Sequence, residues 1–298
     1  MKRWILAMAL LVAAPQAGAE LKVFACEPEW AALAREVAGP QAEIFQATTA
    51  REDPHLVQAR PALIAQLRTA SLLVCSGADL EAGWLPLAVR QARNPAVQPG
   101  APGHFLAADT VRLLEVPATL DRAQGDVHPQ GNPHIQTDPR RMALVATALG
   151  ERLATVDPAN ADDYRRRAAD FARRLRTLQL SLEVQARGLR GARLVVHHAE
   201  WVYLFDWLGL QSAGALEPKP GLPPAAGHLA ALKAELAAQP ARGIVRSPLA
   251  DPKPAQWLAR ETGLPVIELP HTVGATPDAV DLPALYGAIV ERLLAGTR

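Results

Sequence analysis

From residue 21 onward, short apolar runs alternate with stretches whose apolar positions recur every three or four residues. That alternation predicts parallel strands joined by helical crossovers. In the first half, strands are predicted over 21–25, 43–45, 71–75 and 111–116, with helices over 29–37, 61–68, 80–91 and 139–154. Pro61 opens its helix where a missing N–H costs nothing, and Asp138 is placed to cap the helix that follows it. A loop is expected over 117–137.

Tyr164, Ala168, Phe171, Leu175, Leu178 and Leu182 then step by four and three residues in turn. This keeps one apolar stripe on a helix over 159–189, about 40 Å long at 1.5 Å per residue. The arginines from Arg165 to Arg176 mostly fill its other faces, a pattern expected of a solvated surface rather than an anion site. Afterwards the alternation restarts, with strands over 192–196, 211–216, 243–246 and 265–269 and helices over 199–208, 224–238, 251–262 and 282–294. The proline-rich stretch 217–224 is brief and flanked by strong elements, so it reads as a rigid extended loop.

The fold class expected is therefore α/β. Two lobes, over 20–158 and 190–298, each hold a parallel sheet flanked by helices and are bridged by the helix over 159–189. A ligand would sit in the cleft between them, outside the carboxyl ends of the strands. One long helix is a stiff connection, so lobe motion is expected to be small.

The ends and the charge change this picture only a little. Lys2 and Arg3, the apolar run 4–14 and the small residues Ala17-Gly18-Ala19 have the form of a cleavable export signal over 1–19. The alternative, an uncleaved anchor, is disfavoured because the run is too short to span a bilayer comfortably. No cysteine stands beside the cleavage site, so no lipid tether is expected, and no later run is long enough to enter a membrane. Lys and Arg number 31 against 30 Asp and Glu, a balance that argues against nucleic acid or an anionic membrane as the main partner. The two cysteines, Cys26 and Cys75, each close a predicted strand. An exported chain permits a disulfide between them, and two buried free thiols fit equally well.

Candidate chemistry resides in histidines within loops punctuated by Pro or Gly: Asp53-Pro54-His55, Gly131-Asn132-Pro133-His134, Val196-His197-His198 and Pro270-His271-Thr272-Val273-Gly274. Histidine is the commonest metal-ligating side chain near neutral pH, and ligands from separate loops suit a tetrahedral zinc site. Two loops come from each half, as a cleft site requires. Only one of His197 and His198 can face the cleft if the chain is still extended there. His104 and His228 lack such context and are assigned structural roles, while His128 is placed beside the site, as an outer or entry-loop residue.

These loops resemble those of the periplasmic solute-binding proteins of zinc and manganese ABC importers, across essentially the whole mature chain. Asp53-Pro54-His55 resembles the first metal loop of that family, and Gly131-Asn132-Pro133-His134 with Asp138-Pro139 the second. In His198-Ala199-Glu200-Trp201-Val202-Tyr203 the histidine stands five residues before an aromatic, which selects His198 over His197. Ser76-Gly77 with Leu80-Glu81 and Trp84, and the Glu217-Pro218 loop, also fit. The resemblance implies two lobes, a metal held between them by His55, His134, His198 and His271, and delivery to an ABC permease in the inner membrane by a monomeric carrier. The departure is His271, which stands three residues before Gly274 where the family often has aspartate. A long His/Asp-rich loop, which some zinc-specific members carry, is not visible.

Four neutral imidazoles favour zinc over manganese, whose preference leans to carboxylate oxygen. If His271 turns away, water or Glu268 takes its place. Glu52, Asp126, Glu200 and Glu268 are near enough in sequence to orient the rings. A carrier needs a closed site without activated water, so no enzymatic activity is expected. The rival reading is an exported zinc hydrolase using His55, His134 and His198 with Glu200 as base; another is a metallochaperone or adhesin with the same site.

Overall fold

A computed structural model of the chain describes residues 21–118, 125, 128–219 and 221–298. The export segment 1–19 and Asp126 lie outside these residues. Two parallel four-stranded sheets form the framework. The first contains β1 (Leu21–Ala25), β2 (Ala42–Gln46), β3 (Leu72–Cys75) and β4 (His104–Leu106), in the order β2-β1-β3-β4. In the second, β5 (Arg193–Val196), β6 (Gln211–Ala215), β7 (Ile244–Arg246) and β8 (Val266–Glu268) repeat that order as β6-β5-β7-β8. Each sheet reverses its winding beside its first strand, and the crevice at such a switch point is where open α/β sheets take ligands.

Alternation along the strands assigns each side chain to a layer. Leu21, Val23 and Ala25 of β1 and Leu194 and Val196 of β5 join one continuous core. It also takes in α1 (Pro28–Ala38), α4 (Pro139–Val156), α5 (Ala161–Gln185), α6 (Val202–Leu208) and α9 (Leu282–Gly296). The opposite faces pack outward. Phe24, Leu73 and Cys75 meet α2 (Pro61–Thr69) and α3 (Leu85–Ala92), and Val195 and Ile244 meet α7 (Ala226–Ala238) and α8 (Pro252–Thr262). The lobes therefore share a helical layer. The largest fully buried side chains of this shared core include Trp30, Tyr164, Phe171 and Tyr286, each contributing on the order of 1.5–3 kcal/mol.

The long helix α5 buries Tyr164, Ala168, Phe171, Leu175 and Leu182, and a 3-10 turn continues it over Ala186–Leu189. Its arginines face solvent in ion pairs such as Arg167 to Asp163 at 2.9 Å and Arg174 to Glu36 at 2.7 Å. The cysteines at the ends of the neighbouring strands β1 and β3 have Cα atoms 4.9 Å apart and form a disulfide, which settles the choice that the sequence leaves open.

Two expectations are corrected. The edge strand of the first sheet is β4, not 111–116. Leu114 N donates to Tyr203 Oη at 3.0 Å, and Leu114 O accepts from Asn132 N at 2.8 Å, so this backbone is committed to a loop and a side chain of the other lobe. Glu115 then turns the chain at φ 52°. The helix expected over 80–91 starts only at Leu85. Before it, Glu81 accepts the backbone N–H groups of Ser76 (2.7 Å) and Gly77 (3.1 Å), and Ala78 and Asp79 take positive φ, holding a tight turn.

Candidate metal centre

The loops that leave the carboxyl ends of both sheets line one cleft cavity of about 400 Å³. His55 enters it after β2. Asp53 Oδ1 accepts from His55 N at 3.0 Å and lies 2.8 Å from His55 Nδ1, so loop and ring are fixed by one carboxylate. A carboxylate accepts only, which places the ring proton on Nδ1 and leaves Nε2 as the donor to a metal. That Nε2 is buried and has no hydrogen-bond partner. Burial pushes the Asp53 carboxyl up, but its hydrogen bonds and charge contact with His55 outweigh this and hold it below its ordinary range.

His134 follows a turn built around Asn132. Asn132 Oδ1 accepts from His134 N at 3.0 Å, and its Nδ2 donates to Ala199 O of the other lobe at 2.7 Å. Gly131 has φ 119°, and a Cβ there would stand 2.8 Å from Leu114 O, so the close approach of these loops requires glycine. His134 Nε2 is likewise buried and unpartnered. Burial, then the neighbouring rings of His198, His55, His128 and His271, hold this imidazole well below its usual titration range.

His198 leaves β5, and its Nδ1 lies 2.8 Å from Glu217 Oε2, in the loop after β6. Burial lowers the His198 pKa, but the Glu217 carboxylate and nearby acids prevail and raise it. The ring centroids of His55, His134 and His198 stand 5.6, 5.5 and 6.0 Å apart, and one nitrogen from each falls within 4.8 Å of the others. Nitrogens bound tetrahedrally to one zinc at 2.0–2.1 Å are ~3.3 Å apart, so a small inward shift would complete the coordination.

His271 lines the same cavity but stands outside this three-histidine group. It is buried, its Nδ1 is unpartnered, and burial lowers its pKa to about 4. The His128 ring lies 5.5 Å from His55 and 6.4 Å from His134, beside the cluster as expected. His197 is buried against the cavity and its Nε2 is 3.8 Å from Glu217. His104 and His228 bond to backbone carbonyls of Val97 and Ala215.

Among the described residues, the carboxylates within hydrogen-bond distance of the clustered rings are Asp53 and Glu217, neither of which stood among the expected orienting residues. Of those expected, Glu52 caps Thr49 N and pairs with Arg60, Glu268 pairs with Arg246, and Glu200 lies buried in the cavity wall, pushed up to about 7 by burial. Glu27 and Glu29 also line the cavity and were not expected there. Their signal is visible afterwards in Cys26-Glu27-Pro28-Glu29-Trp30, where two acids directly follow a buried strand.

The sequence profile of the family described as zinc-uptake complex component A, periplasmic (ZnuA), matches residues 23–295. The chain belongs to this family. Among ZnuA relatives, the high-affinity zinc uptake system protein of Paracoccus denitrificans (strain Pd 1222) is 28% identical over 313 aligned residues, covering 92% of this chain and 91% of the relative. The manganese ABC transporter substrate-binding lipoprotein PsaA of Streptococcus pneumoniae is 23% identical, over 53% of this chain and 49% of its own. A ZnuA crystal structure superposes with a TM-score of 0.75 at 19% identity, covering 93% of this chain and 99% of that one. A manganese-bound periplasmic metal-binding protein from candidatus liberibacter asiaticus gives a TM-score of 0.77 at 17% identity, covering 93% and 100%. The two-lobed α/β fold is thus the ZnuA fold, and the chain is a member of the metal-binding solute-binding proteins of ABC importers.

Proposed function

We propose that the chain captures zinc in the periplasm, after export through a signal over 1–19, and delivers it as a monomeric carrier to an ABC permease of the inner membrane. Its metal is cargo, and no reaction is catalysed. One observation carries this reading. Three imidazoles from three loops converge in the interlobe cavity, and carboxylates hold two of them at Nδ1, which leaves Nε2 as the donor to a metal.

Zinc is preferred because the ligands that meet are nitrogen donors of borderline softness, whereas manganese favours oxygen. His55, His134 and His198 form the core of the site, with His271 as the fourth nitrogen once the metal draws the loops together. The neutral His134 is ready for a metal without first losing a proton. The test is elemental analysis and competition titration of the mature protein with zinc and manganese, beside His198→Ala. One tightly bound zinc, lost in the variant, supports the proposal. Tighter manganese binding, or turnover of ester or peptide substrates, would overturn it.

A further inference from the structure

His271 and Thr272 open the loop after β8, and two buried hydrogen bonds fasten this loop to the opposite lobe. Gln136 Nε2 donates to His271 O at 3.2 Å, and Thr272 Oγ1 donates to Glu29 Oε2. Glu29 stands in the first turn of α1, and Gln136 in the 3-10 turn directly after His134. Gln136 is itself held from α9, since Tyr286 Oη donates to its carbonyl at 3.0 Å. Glu29, Gln136 and Thr272 are only 3%, 4% and 3% exposed.

A buried carboxyl is costly, and Glu29 lies near two more, Glu27 and Glu81. An apolar residue would fill that space without the cost. Glutamate earns its place through its single cross-lobe bond, made to the residue next to His271. We propose that Glu29 and Gln136 are positioning residues for His271, fixing from the N-terminal lobe whether a fourth imidazole reaches a metal on His55, His134 and His198. This rests on the carrier reading above.

Loss of the Glu29 bond would release the loop and leave the metal with three imidazoles and solvent. Preference would then move from zinc, satisfied by four nitrogens, toward metals that accept water and more ligands. Partners that orient ligands typically alter metal affinity 10- to 100-fold. Glu29→Ala is therefore expected to weaken zinc by roughly 10-fold, with manganese much less affected. Glu29→Gln, which keeps an acceptor for Thr272, should restore most of the loss.

The deciding experiment is a cycle of Glu29→Ala and His271→Ala in the mature protein, read by zinc and manganese competition titration. Cobalt(II) absorption, strong for four-coordinate and weak for six-coordinate ions, reports the geometry. Circular dichroism and thermal melting verify folding, and Thr272→Val, which removes the donor of the same cross-lobe bond, takes the place of Glu29→Ala in the cycle if that variant does not fold. The expected result is that Glu29→Ala has no further effect once His271 is alanine. Equal losses in both backgrounds, or no loss in either, would overturn the positioning role. Zinc binding unchanged by His271→Ala would also overturn it while leaving the three-histidine carrier intact. A wild-type protein that binds no zinc would instead defeat the carrier reading.

Discussion

Glu217 Oε2 lies 2.8 Å from His198 Nδ1, although 19 residues separate them in sequence. The same oxygen accepts from Gly221 N at 2.9 Å, so one carboxylate fixes a ring of the cluster and the loop that borders the cavity. Replacing it should leave His198 free to rotate and to swap tautomers. Glu217→Ala is expected to weaken zinc by about 10- to 100-fold, with Glu217→Gln between the two. Isothermal competition titration measures this, and equal affinity in all three proteins would show that Glu217 does not orient the ligand.

Acid should release the metal in an order set by the rings. The His198 pKa is raised above its ordinary value, so a proton competes there first, whereas His134 and His271 resist protonation. Affinity should therefore begin to fall, as pH drops, while still above the ordinary imidazole range. In the metal-free protein the sign for His271 is opposite to that for His198. Its folded pKa, about 4, lies below the unfolded value, so its contribution to stability is lost as pH falls from ~6.5 toward 4. The size is on the order of 3 kcal/mol. Glu29 and Glu200, pushed up to about 7 by burial, act the other way over an overlapping range. Denaturant melts of wild type and His271→Asn at several pH values isolate the histidine: the difference between them should grow with pH from 4 to 6.5. A constant difference would refute the assignment.

The disulfide ties the ends of β1 and β3, next to Glu27 in the cleft wall and the buried Ser76 whose Oγ donates to it, across a separation of 49 residues. Its removal in Cys26→Ser/Cys75→Ser should cost ~2–4 kcal/mol, chiefly by freeing the unfolded chain. Urea melts of the metal-free protein, oxidised and doubly substituted, compare the two directly. Coincident midpoints would mean that the bond adds nothing to stability.

Much of this was legible in the residue pattern, and the exceptions have identifiable causes. The strand runs at 21–25, 71–75 and 192–196 are apolar on both faces because helices cover both, so they stand out clearly. The short β4, with one buried residue, Phe105, gives no such signal. Residues 111–116 look like a strand because Val111, Leu113 and Leu114 pack on the shared core, yet the Leu114 backbone bonds to Tyr203 and Asn132 and Val111 N bonds to Ala108 O. Hydrophobicity reports burial; it does not report where an N–H finds its acceptor.

For the site, His55 and His134 announced themselves by the prolines that precede them, because Pro54 and Pro133 fix φ whatever surrounds them. The chain by itself thus determined the alternating α/β order, the bridging helix and the loops able to offer imidazoles. Only the tertiary structure decided which rings meet. It brings His55, His134 and His198 together, sets His271 to one side, and gives His198 a carboxylate from the neighbouring strand's loop. The physical reason is that coordination and hydrogen bonding act over about 2–3 Å. Distances of that order between remote residues are fixed by strand order and lobe packing, which spacing along the sequence does not encode.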